Sequence, residues 1–295
     1  MSDITVINDS EQSSLVTNGL AKNGELYLKA AGSTDAGAIV VYDSGVWRTF
    51  ANEASSFSNT YSVSFDGTND YVDTGNKFDF MQQTMNFTIS AWIKFQDYTL
   101  ARNQYILHTT DSGSRVGFML WFDNRSGLDY LRSRIAPTSS TNAYAQSTYA
   151  ISDNNWHHVA VTCAQAGSIR LYLDGSQLDF SSAPSTTTAT AQHNFIIGGA
   201  LDTSGQIFLP FQGNIDEVGI FNTELSSSDI TSIYNSGSPD DLSSLNPVSW
   251  WRMGDNDGGT GTTITDQGSG GNDGTLVNSP TFYDLSTAPD SIYVA

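Results

Sequence analysis

Side-chain alternation with a period of two, recurring along most of the chain, is the feature that most limits its fold. FTISAWIKF puts Phe87, Ile89, Ala91, Ile93 and Phe95 on one face and Thr88, Ser90, Trp92 and Lys94 on the other. YSVSF aligns Tyr61, Val63 and Phe65, and GFMLWF sets Phe118, Leu120 and Phe122 against Met119 and Trp121. IRLYLDG sets Ile169, Leu171 and Leu173 against Arg170, Tyr172 and Asp174. Successive strand residues point to opposite faces, so the pattern predicts antiparallel sheets with one inward row each. The predicted class is all-β, an antiparallel β-sandwich. Charged residues make up only 15% of the chain, too few to clothe long surface helices, which agrees with that class.

One segment departs from the alternation. In LSSSDITSIYNSG, Ser226 and Asp229 have the spacing of a capping box. Leu225, Ile230, Ile233 and Tyr234 fall at helical spacing, and Gly237 supplies a stop. This predicts one short helix. Residues 1–52 differ again: the short apolar runs at 25–29, 38–42 and 46–50 read as small β-hairpins, which need a partner surface to be stable.

WHHVAVTC carries two adjacent histidines and the single cysteine, a combination that raises the question of a metal or nucleophile site. On a strand, His157 and His158 leave in opposite directions and cannot clasp one ion. His157, Val159, Val161 and Cys163 share a face, where the thiol acts as a small apolar group. No CxxC, HExxH, GxSxG, GxGxxG or P-loop pattern is present, so the histidines read as strand residues.

Twelve Lys and Arg against thirty-one Asp and Glu leave a net charge of −19, which repels phosphate backbones and anionic lipid. Nucleic-acid and membrane-surface partners are therefore not expected. A lone cysteine forms no intrachain disulfide, and MSDITVINDSEQSS lacks the apolar core of a signal peptide.

The ordered motifs FDGTNDYV (65–72), FTISAWIK (87–94), WHHVAVT (156–162), RLYLDGS (170–176) and FQGNIDEVGIFNTELSSSDITSIYNSG (211–237) resemble those of laminin-G-like and pentraxin-like jelly rolls. These share the concanavalin A-like lectin/glucanase architecture. The resemblance implies a jelly roll over residues 57–295. The stretch NPVSWWRMGDNDGGTGTTITDQGSGGNDGTLVNSP resembles the opening strand of such domains, so residues 246–282 are expected to supply a permuted first strand. Residues 24–50 resemble short modules of bacteriophage fibre and virion proteins, which implies attachment to other virion subunits through residues 1–52.

The resemblance implies a structural Ca²⁺, with Asp66, Asp70 and Asp216 at the matching positions; alternatively Asp66 and Asp70 make Asx turns within DGTND. Trp92, Trp121, Tyr172 and Arg170, with Asp174 beside them, lie on outward rows and are candidates for a glycan site, unless they form a second small core. Jelly-roll glucanases place two glutamates around an aspartate on one strand; in GNIDEV, Asn214 and Val218 stand where those glutamates would be, so no catalytic residues are assigned. The expectation is a non-catalytic protein of a bacteriophage particle surface, a capsid decoration or fibre component. It is expected to form homo-oligomers and to bind a cell-surface glycan with calcium support. The alternatives are a bacterial extracellular lectin or adhesin module and a glycan-active jelly-roll enzyme.

Overall fold

A computed structural model describes residues 5–7, 26–29, 39–43, 46–50, 57–110, 116–125, 130–138, 140, 143–165, 167–182, 190–191 and 193–283. The chain forms two compact units, Met1–Ser58 and Asn59–Ala295. In the first, β1 (Thr5–Ile7), β2 (Leu26–Lys29), β3 (Ile39–Asp43) and β4 (Val46–Phe50) form a four-stranded sheet in that order. The three apolar runs read from the sequence are its antiparallel strands, and β1 adds in parallel to β2.

The second unit is a sandwich of two antiparallel sheets. Sheet one runs β14 (Ser176–Ser182), β13 (Ser168–Leu173), β12 (Trp156–Cys163), β7 (Phe87–Phe95), β18 (Gln212–Phe221), β5 (Ser62–Asp66) and β22 (Thr281–Tyr283). Sheet two runs β11 (Ala143–Ala150), β10 (Tyr130–Ala136), β9 (Gly117–Asp123), β8 (Asn103–His108), β15 (Ile196–Ile197), β6 (Tyr71–Asp73), β21 (Gly274–Val277) and β20 (Thr263–Ile264). A small hairpin, β16 (Ala200–Leu201) with β17 (Ile207–Phe208), follows β15, and β19 (Ser249–Trp251) pairs with β18. The C-terminal strands thus extend the edges of both sheets.

The inward rows read from the sequence form the core. Phe87, Ile89, Ala91, Ile93 and Phe95 meet Phe118, Leu120 and Phe122 from the other sheet, with Val159, Val161, Cys163, Ile169 and Leu171 beside them. A short helix, α1 (Phe80–Gln83), adds Met81 to this core. Burial pushes the Cys163 thiol up to about 12, so it is an inert apolar group.

The predicted helix is α2 (Ser227–Tyr234). Ser226 Oγ accepts the Asp229 N–H at 3.2 Å while Asp229 Oδ2 accepts the Ser226 N–H at 2.8 Å, completing the capping box. The helix ends three residues before the Gly237 read as its stop, because Asn235 takes the left-handed cap conformation at φ 44°. No helix among the described residues is long and apolar enough to cross a membrane.

Candidate functional site

Strand β18 carries the chain's acidic core. Its register against β7 shifts between Asp216 and Gly219, and Glu217 sits at φ 47° within that bulge. The irregularity brings Asp216 and Glu217 together with Asp255, so that one carboxylate oxygen of each lies within 4.8 Å of the others. Asp216 Oδ2 accepts from Asn59 Nδ2 at 2.9 Å and its Oδ1 accepts the Glu217 N–H at 2.8 Å. Glu217 accepts from Trp250 Nε1 at 2.5 Å and from Arg252 Nε at 3.0 Å. Asp255 accepts the N–H groups of Thr60 at 2.7 Å and Tyr61 at 3.3 Å. Burial holds Asp216 well above the usual carboxylate range, reinforced by the Glu217 charge, and raises Glu217 to about 7.

Of the expected calcium ligands, Asp66 and Asp70 lie together and Asp216 stands apart from them. Asp66 pairs with Gln212 across β5 and β18, four residues before Asp216, a separation of about 13 Å along the strand. Asp66 Oδ1 accepts the N–H of Thr68 at 2.7 Å and of Asn69 at 3.3 Å, an Asx turn. Asp70 Oδ2 accepts the Asp66 N–H at 3.1 Å and closes the same turn. The buried trio fits calcium no better. Its oxygens are engaged by N–H donors, and the Arg252 guanidinium occupies the electrostatic role a cation would fill. Calcium needs six to eight oxygens, more than the carboxylates of either group supply by themselves.

The four expected glycan contacts are divided between the two sheets. Trp92 and Tyr172 lie on the outer face of sheet one, but both are buried. Trp92 stacks on Tyr234 of α2 with centroids 5.9 Å apart. This is the second small core that the sequence left open. Arg170 is ion-paired with Glu224 at the rim of a shallow depression of about 340 Å³. Trp121 belongs to sheet two, so it shares no surface with the other three.

Around Trp121 the register of sheet two builds a different constellation. Its partner across β8 is Tyr105 and across β10 is Arg132, followed by Gln146 on β11. The neighbouring rows are Asn103, Asp123 and Tyr130 on one side, and His108, Met119, Arg134 and Tyr144 on the other. Tyr105 stacks on Trp121 at 5.7 Å and Tyr144 meets it edge-on at 5.7 Å. Phe208 of β17 stands against Tyr105 at 6.0 Å. Tyr144 is 41% exposed and the Arg132 side chain 22%, so solvent reaches this face.

Three polar atoms there have no hydrogen-bond partner: Trp121 Nε1, Arg132 Nε and Asn103 Oδ1. A buried polar atom left unpaired costs about 1–3 kcal/mol, so three on one face mark a place prepared for water or a ligand. Sequence reading found Trp121 alone. The signal for the others lies in YLRSRIA and AYAQSTYA, whose alternation sets Arg132 and Arg134, and Tyr144 and Gln146, on one face.

A family model described as the concanavalin A-like lectin/glucanases superfamily matches residues 66–231, more than half of the chain. The chain belongs to this superfamily. As a superfamily member it is similar to a solved structure described as a “putative carbohydrate binding protein” from Bacteroides ovatus. That match has a TM-score of 0.58 and 21% identity, and it covers 90% of this chain and 71% of that one. A carbohydrate-binding module of the Ruminococcus gnavus IT-sialidase gives a TM-score of 0.48 at 15% identity, covering 59% of this chain and 96% of that one. A rat protein named “Sushi, von Willebrand factor type A, EGF and pentraxin domain-containing protein 1” is 29% identical over 106 residues. Those residues are 34% of this chain and 3% of the rat protein.

Proposed function

We propose that this superfamily member is a non-catalytic glycan-binding module whose contact surface is the outer face of β8 to β11. The observation that carries the reading is Trp121, 4% exposed with its indole N–H unpartnered, set among Tyr105, Tyr144 and Arg132. Aromatic bodies beside fixed donors match the apolar C–H patches and hydroxyls of a pyranose. The fold shared with the Bacteroides protein is compatible with this reading. Hydrolysis finds less support: the Asp216–Glu217 pair is 0% and 2% exposed, out of reach of a glycosidic bond.

Within this reading, residues 1–52 serve as the docking segment that holds the module on a bacteriophage particle as one of several identical copies. The support is their resemblance to virion modules. A glycan array followed by calorimetry on the Trp121→Phe variant, which keeps the packing and loses the N–H, tests the binding surface. Binding that weakens in the variant is expected. Absence of any glycan ligand, or full affinity in the variant, removes the assignment. Deleting residues 1–52 is expected to abolish particle incorporation, and retained incorporation refutes the docking role.

A further inference from the structure

The charge of the sheet-two face narrows the ligand class beyond a generic sugar. The chain as a whole is strongly acidic at −19, yet this face gathers three of its arginines. Arg132 and Arg134 point from β10, and Arg125 follows directly after β9. Acids at this face include Asp123 and, at the β11 edge, Asp179, whose Oδ2 accepts the Gln146 N–H at 2.7 Å.

Asp123 is shared between two arginines and so cannot neutralise both. It is gripped in a two-pronged pair by Arg125, whose Nε and Nη2 each lie 3.0 Å from its oxygens. That pair, with Arg125 as the largest cause, holds the Asp123 carboxyl below its ordinary range. Arg132 Nη1 sits farther off, 3.4 Å from Asp123 Oδ2, and its guanidinium lies 5.2 Å from the centre of the Tyr130 ring. The guanidinium is thus braced from two sides while its Nε–H remains unpartnered. Trp121 stands directly opposite Arg132 in the register, which places the two side chains about 5 Å apart at their Cβ atoms.

Arg132 and Trp121, each with an unpaired N–H and directly opposed in the register, set a cationic donor beside an aromatic one, a pairing suited to an anionic oxygen pair. A neutral hydroxyl offers fewer lone pairs and no charge to meet the guanidinium. Asn103 Oδ1 supplies the opposite chemistry two residues away, an acceptor for a sugar hydroxyl.

Resting on the glycan-binding reading, we infer that this face recognises an acidic glycan, with the carboxylate of a uronic or sialic acid residue received by the part-exposed Arg132 guanidinium beside Trp121. The test is calorimetry of the full chain with two matched pairs: trigalacturonate against its methyl ester, and 3′-sialyllactose against lactose. At least one acid is expected to bind about tenfold or more tightly than its neutral counterpart, as a charge-assisted hydrogen bond implies. That preference should shrink as salt is raised and fall below about threefold in Arg132→Gln. If Arg132→Gln does not fold, Trp121→Phe carries the test through a loss of affinity for the acid. Equal affinity for the acid and neutral members overturns the acidic preference and leaves glycan binding standing. No binding of any of the four overturns both.

Discussion

Lowering the pH from 6.5 to 4 should remove about 3 kcal/mol of stability through His158 alone. Its ring is fully buried, with Nε2 2.7 Å from Ser90 Oγ and no partner for Nδ1. Trp92 lies 5.4 Å away and Tyr234 of α2 lies 6.2 Å away. Burial pushes its pKa down to about 4, opposed only in part by Asp174, whose Oδ1 accepts the His158 N–H at 2.9 Å. In the unfolded chain the ring titrates near its ordinary 6.5. Between those values the unfolded state holds a proton that the folded state refuses, so stability falls as pH falls. The interval, at about 1.4 kcal/mol per pH unit, gives the stated magnitude.

Its neighbour has the opposite sign. Burial alone would lower the His157 pKa, but hydrogen bonds to Asp174 at 2.8 Å and Asp153 at 3.0 Å outweigh it and raise the value. Its contribution is complete below about 6.5 and is lost as pH climbs through the raised pKa. Asp216 and Glu217, raised by burial, also favour the folded state when protonated, so they too cost stability as pH rises toward about 7. A bare pH profile therefore mixes several slopes. Urea denaturation of the wild type and of His158→Gln at each pH isolates one of them, because the shared groups cancel in the difference. That difference should move by about 3 kcal/mol in favour of the variant between pH 6.5 and 4. A difference that stays constant to within about 0.5 kcal/mol, or a nuclear magnetic resonance titration of His158 near 6.5, would refute the reasoning.

Two further outcomes follow from the strands. Gly213→Ala is expected to cost about 2 kcal/mol or more by thermal or urea unfolding, since φ is 144° and an added Cβ would lie 2.0 Å from the Lys94 carbonyl oxygen. Chelation with EDTA should leave the melting temperature unchanged, because neither the Asp66–Asp70 turn nor the Asp216–Glu217–Asp255 group offers a calcium shell; a drop restored by added Ca²⁺ would contradict that geometry.

Alternation was enough to place the inward rows of β7, β9, β12 and β13, because burial on one face of a strand imposes period two whatever the partner. Helix α2 was legible for a similar local reason: Ser226 and Asp229 satisfy each other's N–H groups without help from elsewhere. The acidic cluster was not legible. Strict alternation sends Asp216 and Glu217 to opposite faces, and only the bulge at φ 47° brings both beside Asp255. Nothing in GNIDEV announces a bulge, because it answers to the fit of β18 between β7 and β19 rather than to local propensity.

The outer faces make the same point about function. Outward aromatics look alike in FTISAWIKF and GFMLWF, yet Trp92 and Trp121 have different fates. Trp92 is roofed by Tyr234, a residue of the protein's own helix, and its neighbour His158 meets Ser90 through Nε2. Trp121 is flanked by Tyr105 and Tyr144, but its indole N–H is left without a partner, opposite an arginine in the same condition. A strand pattern specifies which residues leave the core and is silent on what receives them. The covered face completes the fold, whereas the face that keeps a part-exposed arginine beside an aromatic row is the one on which chemistry outside the chain has something to satisfy.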